Sequence, residues 1–228
     1  MTQIRYARQS FMESLPEPDR EALLTIGRHR EWHRGDLVVR AGDRADSAII
    51  LLEGLTKIHR HGADGTEVVL ALSGPGDLLG EVTAVRDAVR SATATALAPV
   101  RASALPVPEL RSFLASHPHA TLALLDLALT RLHNADARRI EFATSETLGR
   151  VTSRLIELAG RFGDERADGA IDVELPITQE ELASWSASSR ESTARALRTL
   201  RELGLIETHR LRLTVLDPHR LAAHAARA

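Results

Sequence analysis

The chain has 228 residues, enough for one or two domains with real hydrophobic cores. Its formal net charge is −2, which argues against a uniformly basic, non-specific nucleic-acid binder, so any affinity for DNA has to come from local charge. There is no cysteine, which excludes disulfides, zinc–thiolate sites and iron–sulfur clusters.

No apolar run approaches membrane-spanning length, and the start lacks the basic-then-apolar form of a signal peptide. The expected location is the cytoplasm, with no membrane partner.

Glu17 to Ile26 predicts a short amphipathic helix bounded by Pro16, Pro18 and Gly27. From Trp32 to about Leu105, short β-branched or leucine-rich runs alternate with glycine turns. The runs are Leu37 to Val39, Ala48 to Leu52, Val68 to Leu72 and Ala92 to Leu97. The turns are Gly35-Asp36, Gly42-Asp43, Gly54, Gly62, Asp64-Gly65 and Gly74 to Asp77. Evenly spaced short strands with turn signals predict a small β-barrel or sandwich. Pro106 and Pro108 close it.

Between Pro118 and about Phe142 the periodicity predicts one long helix. Leu122, Leu125, Leu129 and Leu132 step by three and four, the seam of a coiled coil. The stripe is narrower than a globular helix uses. Two occupants suit it: the same helix of a second subunit, or the chain's own β domain. The first is favoured, because paired readers of paired sites need symmetry. Thr147 to Phe162 predicts another helix, ended by Gly163, and Asp164 to Ala170 reads as a surface turn.

Ile177 to Leu200 then predicts two short helices joined by a tight turn. Thr178 with Glu181 forms one capping box, and Ser188 with Glu191 repeats the signature. On the second helix Arg190, Glu191, Arg195, Arg198 and Arg201 fall on one arc roughly 140° wide. Thr193, Ala196, Leu197 and Leu200 fall on the other side. Arginine forks match the O6 and N7 acceptors of guanine, and a carboxylate accepts from the cytosine amino group. This is the layout of a helix that reads the major groove. From Arg190 to Arg212 six arginines stand against three glutamates, a local positive excess. Leu205-Ile206 and Leu211 to Leu216 look like a two-stranded wing. Pro218 and a short alanine-rich tail follow.

Two motifs, in this order and spacing, carry a resemblance. Gly80-Glu81-Val82 followed by Arg90-Ser91-Ala92 resembles the phosphate-binding cassette of cyclic-nucleotide domains. Ser189-Arg190-Glu191-Ser192 followed by Arg195 resembles a recognition helix. Nearly everything from about residue 10 to 217 is similar to the cyclic AMP receptor protein / fumarate-nitrate regulator (CRP/FNR) family. That resemblance implies an α+β chain. Residues 1–116 would form a jelly-roll-like, cyclic-nucleotide-binding β-roll, 117–145 a dimerisation helix, and 146–228 a winged helix-turn-helix.

It also implies roles. Arg90 would take the ligand's phosphate, with Ser91 beside it and Gly80 leaving room for the backbone. Glu81 would accept from the ribose 2′-hydroxyl. The alternative for Glu81 and Arg90 is a structural ion pair across a loop. In the family a Thr-Ser pair on the long helix contacts adenine; here Ala135 and Asp136 match it. Asp136 could read a base, and guanine's N1–H and N2–H would suit it, or it could simply pair with Arg138 or Arg139. Cyclic AMP is the first effector and cyclic GMP the second.

Arg190, Glu191 and Arg195 would contact bases in a half-site of the form TGTGA. Thr178, Gln179, Ser189, Ser192 and Arg198 complete the DNA-facing set. Two departures stand out: Ala187 in the turn and Arg210 at the wing tip, where the family usually has glycine.

The histidines show no metal-ligand spacing, and there is no nucleophile elbow or Walker motif. His59 and His61 would share a strand face that a metal could use, but an exposed polar face is the commoner explanation. The expectation is therefore not an enzyme, with no cofactor and no metal. It is a homodimeric regulator that binds palindromic double-stranded DNA under cyclic-nucleotide control, with RNA polymerase as a further partner. The rivals are a ligand-independent or other-effector regulator of the same family, and a nucleotide-binding module acting through protein partners.

Overall fold

The structure is a computed structural model, and it describes residues 10–82, 86, 89–174 and 177–225. The described residues up to Ala135 form one compact unit, and those from Asp136 onward form another.

The first unit begins with α1 (Glu17–Thr25), close to the helix that the pattern predicts. Eight strands follow: β1 (Arg28–Trp32), β2 (Leu37–Val39), β3 (Ser47–Glu53), β4 (Thr56–His61), β5 (Glu67–Ser73), β6 (Leu78–Leu79), β7 (Thr93–Ala96) and β8 (Val100–Pro106). They make two four-stranded sheets, ordered β1-β8-β3-β6 and β2-β7-β4-β5, with every pairing antiparallel. The predicted runs become β2, β3, β5 and β7. Polar β1 and β4 carry no apolar run to announce them.

Strand β3 is buried on both faces, which explains its unbroken apolar run. Ile49 and Leu51 join Val38, Leu79, Ala94, Ala96, Val100 and Ala102 in a core shared by both sheets. Ala48 and Ile50 face a second core with Phe11, Leu15 and Leu23.

Two helices complete that second core. Helix α2 (Val107–Ser116) starts at the pair of prolines that reads as a boundary. A proline in the first turn lacks an N–H that would be unsatisfied there anyway. It contributes Leu110 and Phe113. Helix α3 (Pro118–Thr144) contributes Ala120, Leu124 and Leu127.

The seam leucines are on a different face of α3. Leu122, Leu125, Leu129 and Leu132 are 63%, 54%, 56% and 60% exposed. They therefore do not pack on the chain's own β domain, which removes that alternative.

The second unit holds the end of α3, α4 (Thr147–Phe162), β9 (Gly163–Glu165), β10 (Ile171–Glu174), α5 (Gln179–Trp185), α6 (Arg190–Glu202), β11 (Ile206–His209), β12 (Arg212–Val215) and α7 (Pro218–Ala225). The wing is larger than predicted. Its two strands belong to a four-stranded antiparallel sheet, β11-β12-β10-β9. The stretch read as a surface turn supplies β9, because Asp164 and Glu165 pair with β10 by backbone alone. Within the tail, α7 is a helix anchored by buried Leu221; the last three residues lie outside the described set. Among the described residues no helix is long and apolar enough to cross a membrane.

Candidate functional site

The first candidate site is built around a buried cation. Arg90 is 8% exposed. Its backbone is pinned to the Gly42-Asp43 turn: its N–H donates to Asp43 O, and its carbonyl accepts from Gly42 N, both at 2.9 Å. One guanidinium nitrogen, Nη2, donates to the carbonyl of Ser47 on β3. The other, Nη1, is buried and has no hydrogen-bond partner among the described residues.

Nη1 lies against Gly80, which has φ +72°; a Cβ there would sit 1.7 Å from it. Glycine is therefore required at position 80 for two reasons, the left-handed backbone and the space. Burial pushes the Arg90 pKa down, and the nearby charges of Asp46, Glu81 and Asp43 oppose that shift. Arginine does not lose its proton in proteins, so the group stays a buried cation with an unused donor.

Glu81 does not form the ion pair with Arg90 that the sequence leaves open. It pairs with Arg131 of α3 at 2.5 Å. Arg131 also donates to Leu78 O at 2.6 Å. One arginine thus ties α3 to β6 and to the Glu81 carboxylate. Arg131 was invisible to the sequence argument, because between Leu129 and Leu132 it reads as an ordinary surface cation. Ser91 and Val82 are exposed beside this site.

Asp136 pairs with Arg139, three residues on, at 3.1 Å, and both side chains are mostly exposed. It belongs to the second unit, whereas Ala135, Arg90, Gly80 and Glu81 belong to the first. Arg138, the other partner considered, takes Glu157 with both oxygens at 3.1 Å instead. Burial lowers its pKa and Glu157 opposes the shift.

The second candidate site is α5–turn–α6. Thr178 caps α5 through the predicted box with Glu181: Oγ1 accepts from Glu181 N at 3.1 Å, and the glutamate accepts from Thr178 N at 2.7 Å. The box predicted for Ser188 and Glu191 does not form. The α6 cap is Ser189, whose Oγ accepts from Ser192 N at 3.1 Å. Ser188 turns inward to Thr193 Oγ1 at 2.8 Å. Glu191 is therefore released to the outer face, where it meets Arg195 at 2.5 Å. Arg195 also donates to Ser192 Oγ at 2.9 Å.

The predicted division of α6 holds. Thr193, Ala196, Leu197 and Leu200 are buried, while Arg190, Glu191, Arg195, Arg198 and Arg201 are exposed. Gln179 opens α5 and is exposed. Arg201 reaches the wing, donating to Thr208 Oγ1 at 2.7 Å.

Ala187 does take the left-handed turn conformation, with φ 47°. A β-carbon there costs about 1–2 kcal/mol. At the wing tip the left-handed residue is Leu211, φ 58°, and not Arg210.

Arg150 of α4 holds the turn. It donates to Ser186 O at 2.9 Å and to Ala187 O at 3.3 Å. It also reaches Ser145 O, just past the end of α3. These carbonyls have no helical partner of their own. Nearby, Arg154 is buried between Glu141 and Glu157, and lies 5.5 Å over the Trp185 ring. Neither arginine could be placed from sequence, since Arg150 meets the turn 36 residues on and Arg154 meets Glu141 13 residues back.

Comparison with known proteins agrees with this geometry. A cyclic nucleotide-binding domain model matches residues 29–117, and a Crp-like helix-turn-helix domain model matches 149–224. The chain is 32% identical, over 195 residues, to a CRP-like cAMP-activated global transcriptional regulator of Mycobacterium tuberculosis; this covers 86% of this chain and 87% of that one. The chain belongs to the CRP/FNR family. A CRP-family transcriptional regulator of Thermus thermophilus matches in structure with TM-score 0.70 and 27% identity, covering 86% of this chain and 96% of that one. FixK2 of Bradyrhizobium japonicum matches with TM-score 0.76 at 16% identity over 87% and 96%, a likeness of fold alone. As a CRP/FNR member this chain is a DNA-binding transcription regulator with a cyclic nucleotide-binding domain, and not an enzyme.

Removing the Arg150 clamp should loosen the helix-turn-helix. Arg150→Ala is expected to destabilise the protein by about 1.5–3 kcal/mol, the range for hydrogen bonds to a charged group. Urea denaturation followed by the fluorescence of Trp185, in a Trp32→Phe background, measures it; an unchanged midpoint would show that the clamp is idle.

Proposed function

We propose that this regulator is a homodimer whose DNA affinity is set by a cyclic nucleotide held at Arg90, cyclic AMP first and cyclic GMP second. The observation that carries the reading is the unused Nη1 donor of a buried guanidinium beside Gly80. A phosphate oxygen completes that donor, and the phosphate charge offsets the cost of keeping a cation out of water. Ser91 adds a hydroxyl. Glu81 accepts from the ribose 2′-hydroxyl.

Glu81 gives the site a route outward. Its carboxylate is already shared with Arg131 of α3. A ligand hydroxyl that claims part of Glu81 alters the contact holding α3 to the roll. The ligand shifts the population only as far as it favours one arrangement of that contact over the other.

The exposed Leu122, Leu125, Leu129 and Leu132 support a second copy as the partner of α3. Four solvent-facing leucines in one line form a patch that a monomer would not keep exposed. Two recognition helices then address two half-sites of a palindrome. Arg190, Glu191 and Arg195 read bases, with Thr178, Gln179, Ser189, Ser192 and Arg198 at or beside the phosphates. RNA polymerase is the proposed protein partner.

A second reading rests on a specific observation. The Glu81–Arg131 pair and the Arg90–Ser47 bond both draw their partners from the chain itself. In a ligand-independent regulator they would be structural.

Four outcomes test this. Calorimetry should show one nucleotide per chain, with cyclic AMP tighter than cyclic GMP, and Arg90→Leu should lose the binding. If a mobility-shift assay gives the same DNA affinity with and without nucleotide, the second reading stands. Arg190→Ala should weaken binding to the cognate palindrome by about 1–3 kcal/mol per half-site and relax the base preference there; equal binding to all sequences before and after the change would remove α6 from the interface. Leu129→Asp should convert a dimer to a monomer in sedimentation; a wild-type chain that sediments as a monomer would overturn the seam assignment.

A further inference from the structure

One cluster on the roll is used by neither function. His59 and His61 are two apart on β4 and so project from the same face. Glu67 of β5 is the cross-strand partner of His61, which puts it on that face too. One ligating atom from each of His59, His61 and Glu67 lies within 4.8 Å of the others. His59 Nδ1 is 3.1 Å from Glu67 Oε2, and the two imidazole centroids are 5.5 Å apart.

We propose that His59, His61 and Glu67 form a binding site for a divalent transition-metal cation, zinc first. Two imidazoles and a carboxylate, with a fourth position left to water, suit zinc, and they suit magnesium or calcium poorly. The surroundings orient the ligands as a metal requires. His59 Nε2 is 2.9 Å from Thr95 Oγ1 on β7. With Nε2–H donating to that hydroxyl, the Nδ1 lone pair faces Glu67 and His61. Lys57 Nζ holds Glu67 Oε1 at 2.8 Å, which turns Oε2 toward His59. Buried His59 is a fixed ligand, and exposed His61 is the side of entry.

The competing account is an ion-paired group in which a protonated His59 and Lys57 share Glu67. That account needs no metal, and His61 has no part in it. A bound cation would tie β4 to β5 and, through Thr95, to β7. Strand β7 begins at Thr93, three positions after Arg90, so the ion would stiffen the strand that follows the Arg90 segment.

Titration of the full chain with zinc chloride in a non-chelating buffer, by calorimetry, tests the site. The expected result is one tight zinc per chain and a rise of several degrees in melting temperature. His61→Ala and Glu67→Gln should each weaken binding at least about tenfold. His33→Ala, an exposed histidine elsewhere, should leave it unchanged. Binding should fade as pH drops through about 6.5, where imidazoles protonate. Circular dichroism confirms that each variant is folded; His61 is exposed, so its loss should not unfold the roll. The proposal is overturned if the wild type takes up no zinc, or if His61→Ala binds it as tightly as the wild type does.

Discussion

The sensor unit is organised around the solvation of one guanidinium. Taking a cation out of water carries a penalty of several kcal/mol, and arginine cannot escape it by giving up its proton. The roll offsets it piecemeal. Ser47 offers a carbonyl, Asp43 and Asp46 offer charge from the same loop, and Glu81 offers charge from the far side. Position 80 must be glycine because the guanidinium occupies the space of its side chain. Even then Nη1 has no acceptor among the described residues.

Helix α3 connects this local chemistry to everything outside the roll. It has two apolar faces with different fates: Ala120, Leu124 and Leu127 enter the roll's second core, while the seam leucines stay in solvent. Arg131 adds a polar tether from the same helix to Glu81. Farther along, Glu141 enters the buried group of Arg154, Glu157 and Trp185. Each of these charged pairs holds its own stretch of the helix, Arg131 within the first unit and Glu141 within the second. Charged pairs are directional and desolvated there, so they hold the helix in register where apolar contacts alone would let it slide.

What could be read in the sequence follows from which forces are local. The arc of α6 was legible because helical geometry alone sorts residues three and four apart. The same holds for the Thr178 cap and the seam. Ala187 in the left-handed turn was legible only through the resemblance, which puts glycine at that position. Strands β1 and β4 were not, because RHREW and TKIHRH form ladders through backbone bonds and present polar faces. The α6 cap moved by one residue because Ser188 found Thr193 as a partner, a choice that spacing cannot rank. Glu81 with Arg131, and Arg150 with the turn, are separated by dozens of residues. Sequence supplied the charges at those positions but not who meets whom.

The same logic limits what α6 can do alone. Glu191 and Arg195 are already paired on its exposed face. Such a pair is worth only about 0.3–0.5 kcal/mol, less than one bidentate contact to a base. It therefore holds a donor fork and an acceptor side by side without blocking either. With a net charge of −2, though, the chain has little long-range attraction for phosphates. Non-specific binding then rests on the local excess of arginines around α6. Specific affinity must come from base contacts, and one half-site supplies only a handful. Doubling them through symmetry is the remaining route, because a second helix held at fixed spacing binds at high effective concentration. In the dimer proposed above, α3 would have to hold that spacing, and a ligand that shifts the Glu81–Arg131 contact would bear on the free energy of the DNA complex.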